Sequence, residues 1–307
     1  MRGVRTRIVP GRAGVVREVR AAAPLMAAVS APIPARGPWL TAVLHAGAPP
    51  ARPAPARPVA VVVERDPLDP PAGVALLSVQ RRGAVAVVSV LGQTGVPLPG
   101  GRPSARLFAA DDDAAAELSA GICTLLGSLR GPWALRLTGL PLGDPTLRAL
   151  AGALPESVLA NVRSSRLIDE LTSVARGRVV RSRDAAALER WLPTLLARRP
   201  DPSGRRFLRT AARWHAAIGQ LELAVVPDGS RVQAAVLTLL DGADRWPWWG
   251  STDVGGLRTE MGSPLVSLTA RGGWRLPQLP VPELSTGERP IFLRLPLPGR
   301  GRPTGGG

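Results

Sequence analysis

The sequence predicts an α/β (α+β) fold, in which a mixed sheet is flanked by helices and two related halves follow one another in tandem. Val-rich runs bounded by Pro, Gly or Asp are typical of buried strands. Other stretches carry apolar residues three and four positions apart, which indicates helices. The second half repeats this mixture of helices and strands. A length of 307 residues allows one large domain or two of ordinary size.

The chain starts with a basic stretch, which we expect to be a flexible arm over residues 1–24. Its first twenty residues contain six arginines and one acid, Glu18, and Pro10 and Gly11 would interrupt a helix. A short helix is predicted over Pro38–His45. The Pro/Ala-rich residues 47–58 follow as a connector that cannot be regular helix.

The rest of the first half is predicted to alternate between strands and helices. Acids favour helix N-termini, so the run Asp111–Asp113 and Asp144 each mark a helix start. These helices are expected to end near Arg130 and Leu154. The predicted strands are Val59–Glu64, Val74–Gln80, Ala84–Leu91, Ala134–Leu137 and Val158–Arg163.

The second half is predicted to run helix, helix, three strands, loop and helix. One helix starts at Asp184, a second spans Phe207–Ile218, and a short third begins near Gly262 or Ser263. The turn Pro227–Gly229 is a strong hairpin signal between the first two of the three strands. The predicted strands are Arg178–Val180, Leu221–Val226, Val232–Leu240, Trp246–Ser251 and, in the Pro-rich tail, Ile291–Leu295.

These elements suggest four segments along the chain. They are the arm 1–24, an N-terminal half 25–165, a C-terminal half 166–276 and a Pro/Gly-rich tail 277–307.

Composition excludes several kinds of chemistry. A single cysteine, Cys123, rules out a disulfide framework or a thiolate metal centre within one chain, and two histidines cannot form a three-histidine site. The sequence contains neither lysine nor tyrosine, so it has no Schiff-base lysine and no tyrosine acid. No apolar run is long enough to suggest a membrane span, so we expect a soluble, cytoplasmic protein.

The net charge of +16 favours an anionic partner. Thirteen arginines and five acids lie between Arg163 and Arg213. Such a surface suits an RNA backbone, a phosphorylated ligand or an anionic membrane surface, although an ordinary solvated helix face has the same composition.

Four stretches together resemble the Gcn5-related N-acetyltransferase (GNAT) superfamily, and its BioF2-like branch related to the Fem-type aminoacyl transferases. They are GPWLTAVLHA at 37–46, ALRLTGLPLGDPTLRAL at 134–150, FLRTAARWHAAIGQLELAVVPD at 207–228 and GSPLVSL at 262–268. The resemblance implies an acyltransferase that uses acetyl-CoA or another acyl-CoA, without a metal, and transfers the acyl group to a small-molecule or peptide amine.

The resemblance also implies where the cofactor would bind. In this superfamily the pantetheine arm pairs with the splayed edge of a central strand, and amides at the following helix N-terminus hold the pyrophosphate. The corresponding strand here is Trp246–Ser251, which includes Trp248 and Trp249. Pro247 removes a ladder donor, so this strand should lie at an edge or be splayed. Gly262 and Ser263 would begin the helix, and Arg258 would add a charged contact to phosphate.

Three residues are candidates for the proton transfer that an amine acceptor requires. Glu222 lies in the first central strand, Asp253 follows the third, and His215 lies on the preceding helix. Each also has a structural interpretation: Glu222 as a solvent-facing strand residue, Asp253 as a turn former and His215 as a satisfied or surface imidazole. The sequence does not choose among the three candidates. Trp246, Trp248 and Trp249 could likewise wall a pocket or fill the core; strand alternation places the first two on one face and Trp249 on the other.

A second function remains open because Glu260 stands where the superfamily's phosphate loop has a glycine. A carboxylate among phosphate-binding amides opposes the ligand. The chain could therefore be a non-catalytic GNAT-derived scaffold that binds an anionic partner through the Arg163–Arg213 surface.

Overall fold

The computed structural model of the chain contains two β-sheets with helices packed against them. The structure describes residues 4–46, 55–93, 98–99, 101–174, 179–229 and 231–273. Their strands are β1 (Arg5–Pro10), β2 (Arg57–Glu64), β3 (Gly73–Arg82), β4 (Val85–Val90), β5 (Phe108–Ala109), β6 (Trp133–Pro141), β7 (Val158–Asp169), β8 (Val180–Ser182), β9 (Leu221–Asp228), β10 (Arg231–Asp241), β11 (Asp244–Thr252) and β12 (Leu257–Gly272). The helices are α1 (Arg12–Ala21), α2 (Ala23–Ala28), α3 (Gly37–Ala46), α4 (Asp112–Ser128), α5 (Pro145–Ala153), α6 (Leu171–Val174), α7 (Ala185–Ala197) and α8 (Pro202–Ala217), with a 3₁₀ turn at Ile33–Ala35.

The predicted fold class is confirmed: a large mixed sheet is flanked by helices. In the described part of the chain its strands run β1-β2-β3-β4-β6-β12-β7, and β5 pairs with β3 beside this path. The ladder between β4 and β6 is parallel, and the other ladders are antiparallel. The second sheet has the order β11-β10-β9-β8.

Side-chain caps explain where several helices begin. Asp111 accepts a hydrogen bond from the Ala114 N–H at 2.9 Å, and Asp144 accepts one from the Leu147 N–H at 3.1 Å. These caps satisfy backbone donors that a helix leaves free at its start. The helix starts predicted at the two acids are therefore confirmed.

The predicted flexible arm is wrong for the residues described there. Residues 5–10 form β1, which pairs with β2, and residues 12–21 form α1. Gly11, with φ of 88°, makes the turn between them, so it joins the elements and does not disrupt them. Buried Glu18 of α1 forms an ion pair with Arg7 of β1 at 2.6 Å.

The predicted helix at Gly262 is also wrong, because residues 257–272 form the single strand β12. This strand pairs with β7 on one side and, from Leu265 onward, with β6 on the other. Two ladder partners satisfy its backbone groups better than a short isolated helix would. Pro264 lies at a register shift of the β7 ladder, where bulges accommodate proline.

β12 brings the end of the described chain into the first sheet, between strands of the first half. The described residues belong to one compact unit. Of the predicted elements, Ile291–Leu295 and part of Arg178–Val180 lie outside the described residues. The proposed division at residues 165 and 166 stays a prediction.

Candidate functional site

The predicted cofactor strand, β11, lies at an edge of the second sheet. In the described part of the chain its ladder partner is β10. The edge position predicted from Pro247 is therefore confirmed. A strand edge presents backbone N–H and C=O groups that an extended ligand can use.

The indoles of this strand do not alternate between faces as predicted. The β10–β11 register shifts between Leu237 and Thr238, which makes Trp248 an extra residue in the ladder. Trp248 and Trp249 are both buried in the core against the helices, and Trp246 packs on the same cluster. The prediction that Trp249 faces the opposite side is thus wrong, because a bulge breaks the two-residue alternation.

His215 belongs to the same core. Its ring is fully buried, with its centroid 6.4 Å from that of Trp39, and neither ring nitrogen has a hydrogen-bond partner in the described part of the chain. Burial lowers the pKa of His215 to about 4, although Gln220 partly opposes this change. His215 is therefore neutral at pH 7.

Glu222 is buried and surrounded by arginines. Its carboxylate accepts hydrogen bonds from Arg245 and from Arg181, the latter at 3.1 Å, and Arg183 lies 3.9 Å away. Burial would raise the pKa of Glu222, but the hydrogen bonds and charges of Arg245 and Arg181 outweigh it and lower the pKa. Such a carboxylate stays ionised, and its lone pairs are already engaged.

Asp253 and Arg258 are exposed and paired. Asp253 accepts hydrogen bonds from the Arg198 guanidinium at 2.7 and 3.2 Å. Arg258 donates to Glu170 at 2.7 Å and also to Glu260. Glu260 is the carboxylate expected from the sequence to oppose a phosphate. It pairs with Arg258, the arginine predicted to bind that phosphate, and so neutralises its charge.

Gly262 and Ser263 lie in the bulge between β12 and β7. The ladder register passes from Met261 to Pro264 without them. The Ser164 hydroxyl donates to the Ser263 carbonyl at 2.6 Å. Their role as phosphate-binding residues stays a prediction, now without the helix dipole that motivated it.

The structure brings His215, Trp248 and Trp249 into one core, but Glu222 lies on the opposite face of the same sheet. Glu222 is paired in register with Thr238, next to the helix-facing Leu223. The sequence-predicted catalytic and cofactor residues therefore do not form one cluster.

A different opening lies in the middle of the first sheet, between the parallel strands β4 and β6. Their pairing ends at Ser89 and Arg136, whereas β6 continues to Pro141 and stays paired with β12 on its other side. Residues 137–141 of β6 therefore continue past the end of β4, which stops at Val90, and present a strand edge that has no β4 partner. We call this the β4–β6 gap.

The chain itself occupies the β4–β6 gap with residues 101–106, which we call the strap. The Ala105 N–H donates to the Gly139 carbonyl of β6 at 2.8 Å. The side-chain amide of Gln93, just beyond β4, donates to the Pro103 carbonyl at 2.7 Å. Pro103 and Ala105 are buried, whereas Arg102 is exposed. The gap therefore accommodates a segment of peptide chain with its amide groups.

This opening was not predicted from the sequence, although Gly139, in the stretch 134–150 that carries the family resemblance, is a signal of it. Gly139 interrupts an otherwise apolar strand, and such a glycine often marks a close approach of another backbone. Its φ is 77°, and a Cβ there would lie 3.2 Å from both the Pro103 carbonyl oxygen and the Gln93 side-chain oxygen. The non-local pairing of β4 with β6 could not be read from either strand alone.

Two further findings concern other classes of site. In the described residues, no group of three or more His, Cys, Asp or Glu side chains is arranged to hold a metal ion. Nor does any helix in that part of the chain have the length and apolarity needed to cross a membrane.

The arginine-rich segment 163–213 is less strongly charged than its composition suggests. At least six of its thirteen arginines form ion pairs with acids of the same chain: Arg166, Arg181, Arg183, Arg198, Arg199 and Arg213.

Part of the chain matches a known family. Residues 158–272, from β7 through β12, match the family model described as "Acetyltransferase (GNAT) domain". This match suggests acyl transfer in general and names no substrate. No curated protein matches the chain.

Several solved structures are similar at low identity. A "Tandem GNAT protein from the clavulanic acid biosynthesis pathway (without AcCoA)" is 14% identical, with a TM-score of 0.37 over 87% of this chain and 98% of that one. A GCN5-related N-acetyltransferase from Sphaerobacter thermophilus is 11% identical, with a TM-score of 0.32 over 87% and 95%. A probable N-acyltransferase from Enterococcus faecalis V583 is 10% identical, with a TM-score of 0.30 over 86% and 72%. TM-scores below 0.5 are too low to support a conclusion.

Proposed function

We propose that this protein is an acyltransferase that moves an acyl group from acyl-CoA to an amine, and that the carrier arm of the donor binds in the β4–β6 gap. The observation that carries the proposal is the end of the parallel ladder at Ser89 and Arg136. It leaves a strand edge in the centre of a sheet, in a chain whose residues 158–272 match an acetyltransferase domain.

The fit of the donor rests on what already lies in the gap. A peptide segment is accommodated there and donates an amide hydrogen to the Gly139 carbonyl. The pantetheine arm is also an extended chain with amide groups, and pairing with a strand edge is a general way of binding such chains. When bound, acyl-CoA supplies an activated thioester.

The protein's part in the reaction is to position the two substrates and to accept the amine's proton. We keep Glu222, Asp253 and His215 as the candidate bases. Asp253 is the most exposed of the three, and its side chain keeps 65% of its accessible surface. Relay through water from Asp253 or Glu222 is the proposed route, and Asp253→Asn and Glu222→Gln should each lower the turnover number more than they change the KM for the donor.

A second location for the donor is the open edge of β11, with Trp248, Trp249, Arg258, Gly262 and Ser263 as its binding residues. The buried indoles and the paired arginine make it the less favoured one. Assignment to the BioF2-like branch, a small-molecule or peptide amine as acceptor, and a cytoplasmic location belong to the same proposal.

The alternative of a non-catalytic scaffold for an anionic partner is not favoured. Acids outside segment 163–213, namely Glu222, Asp253 and Glu260, pair with its arginines and offset part of its excess of positive charge.

Calorimetric titration with acetyl-CoA and longer acyl-CoAs tests the proposed function. We expect saturable binding that Gly139→Val weakens at least about tenfold, because the added side chain projects into the gap. Gly143→Val is the matched control: Gly143 also has positive φ, 81°, but a Cβ there meets nothing within 4 Å. Equal weakening by both variants, or no binding at millimolar ligand, would contradict the proposal.

A further inference from the structure

The contacts of the strap decide whether an acyl donor can enter the β4–β6 gap. This inference rests on the proposed function. The strap lies where β4 and β6 no longer pair, and the Gly139 carbonyl already accepts a hydrogen bond from Ala105. Two chains cannot use the same carbonyl edge at once. A carrier arm that pairs with β6 must therefore displace the strap.

The strap fills the gap closely. The cavity left beside it, lined in part by Trp39, Gln93 and Phe108, has a volume of about 10 Å³. This is room for one water molecule, whereas a carrier arm needs far more. A donor therefore cannot enter this cavity unless the strap moves.

The closed arrangement is nevertheless incompletely satisfied. The side-chain nitrogen of Gln93 donates to Pro103, but its side-chain oxygen is buried without a hydrogen-bond partner in the described part of the chain. An unpaired buried acceptor destabilises the state that contains it. The strap thus occupies the gap without using all of its polar groups.

The strap is also held from a few points. In the described part of the chain, one hydrogen bond joins it to β6 and one joins it to Gln93, and the Arg106 guanidinium interacts electrostatically with the Asp144 carboxylate. At its start, Gly101 packs against Ser165 of β7; at its end, Leu107 is anchored in the core. Between these points, Arg102 is exposed and Ser104 and Arg106 are half-buried. A segment of this kind can move outward while Leu107 stays in place.

We propose that the strap is an autoinhibitory segment: it closes the β4–β6 gap in the free protein, with Gln93 and Gly139 as its latch, and gives way when the acyl donor binds. The latch sets how often the gap opens, and the apparent affinity for the donor falls in proportion to the open fraction.

The test uses the full chain and two variants that weaken the latch differently. Ala105→Pro removes the N–H that donates to Gly139, and Gln93→Met removes the bond to Pro103 at similar size. Gln233→Met, on the β9–β10 hairpin, is the control. Amide hydrogen exchange over residues 101–108 and calorimetric binding of acetyl-CoA are measured for each, after circular dichroism has verified folding.

We expect faster exchange of the strap amides in both latch variants, and acetyl-CoA binding about 2- to 10-fold tighter than in the wild type, the range that one lost hydrogen bond implies. Acetyl-CoA should also accelerate strap exchange in the wild-type protein. Binding that leaves the strap amides as protected as before would overturn the autoinhibition alone. If strap exchange is faster in the latch variants but neither they nor the wild type bind acetyl-CoA, both the proposed function and the autoinhibition are overturned.

Discussion

Buried His215 predicts a pH dependence of stability whose size follows from its surroundings. Burial lowers its pKa from 6.5 to about 4 in the folded protein. The unfolded chain therefore binds more protons than the folded one between these values, so stability is full above pH 7 and falls as the pH drops through this window. For these two pKa values, the loss between pH 7.5 and 4.5 is about 2.5 kcal/mol.

Urea unfolding at pH 7.5, 6.5, 5.5 and 4.5 measures this loss directly. His215→Leu should remove most of the slope, because it removes the titrating group and leaves a side chain suited to that core. His45→Leu is the control, because it removes the other histidine of the sequence and leaves His215 in place. A wild-type stability that changes by less than about 0.5 kcal/mol over this range, or an unchanged slope in His215→Leu, would refute the reasoning.

Two further predictions concern packing and charge. Gly121→Ala in α4 should lower the free energy of unfolding by about 1–3 kcal/mol, because the added Cβ would lie 2.6 Å from the Thr6 and Val61 side chains. A Cβ at Gly127 in the same helix meets nothing within 4 Å, so Gly127→Ala should leave the free energy of unfolding unchanged or raise it by about 0.5–1 kcal/mol. Glu18→Gln should cost about 1.5–3 kcal/mol because it weakens the charge-assisted hydrogen bond between buried Glu18 and Arg7, whereas Glu64→Gln, whose side chain keeps 19% exposure, should cost less. Chemical denaturation of each pair, compared with wild type, checks both, and equal costs within either pair would contradict the packing described.

The sequence predicted elements well where local signals were strong. The acids at Asp111, Asp144 and Asp184 begin helices by capping them. The hairpin predicted at Pro227–Gly229 also forms, although Pro227 and Asp228 are paired residues of β9 and the turn begins after them. These features depend on residues a few positions apart. Periodicity and capping are sufficient to find them.

The errors came from pairing between distant segments. The stretch around Gly262 has the local features of a helix start. It nevertheless forms part of β12, which pairs with β7 and with β6, and β6 lies more than a hundred residues earlier in the sequence. The arginine-rich start became a strand because β2 supplies its ladder partner.

The candidate site shows the same limit. The open edge of β11 followed from one proline, but the bulge that turns all three indoles inward depends on the register with β10. The β4–β6 gap was not predictable because its walls and the strap come from three separate stretches. Charged residues chosen as catalytic also acquired partners, such as Arg198 for Asp253, that only the tertiary structure reveals.

The location of the acyl donor is tested most directly by amide hydrogen exchange of the whole chain with and without saturating acetyl-CoA. Donor binding in the gap predicts slower exchange of the β6 amides at residues 137–140, together with faster exchange in the strap. Protection confined to β11, at residues 244–252, or no change in either strand, would contradict the assignment of the β4–β6 gap.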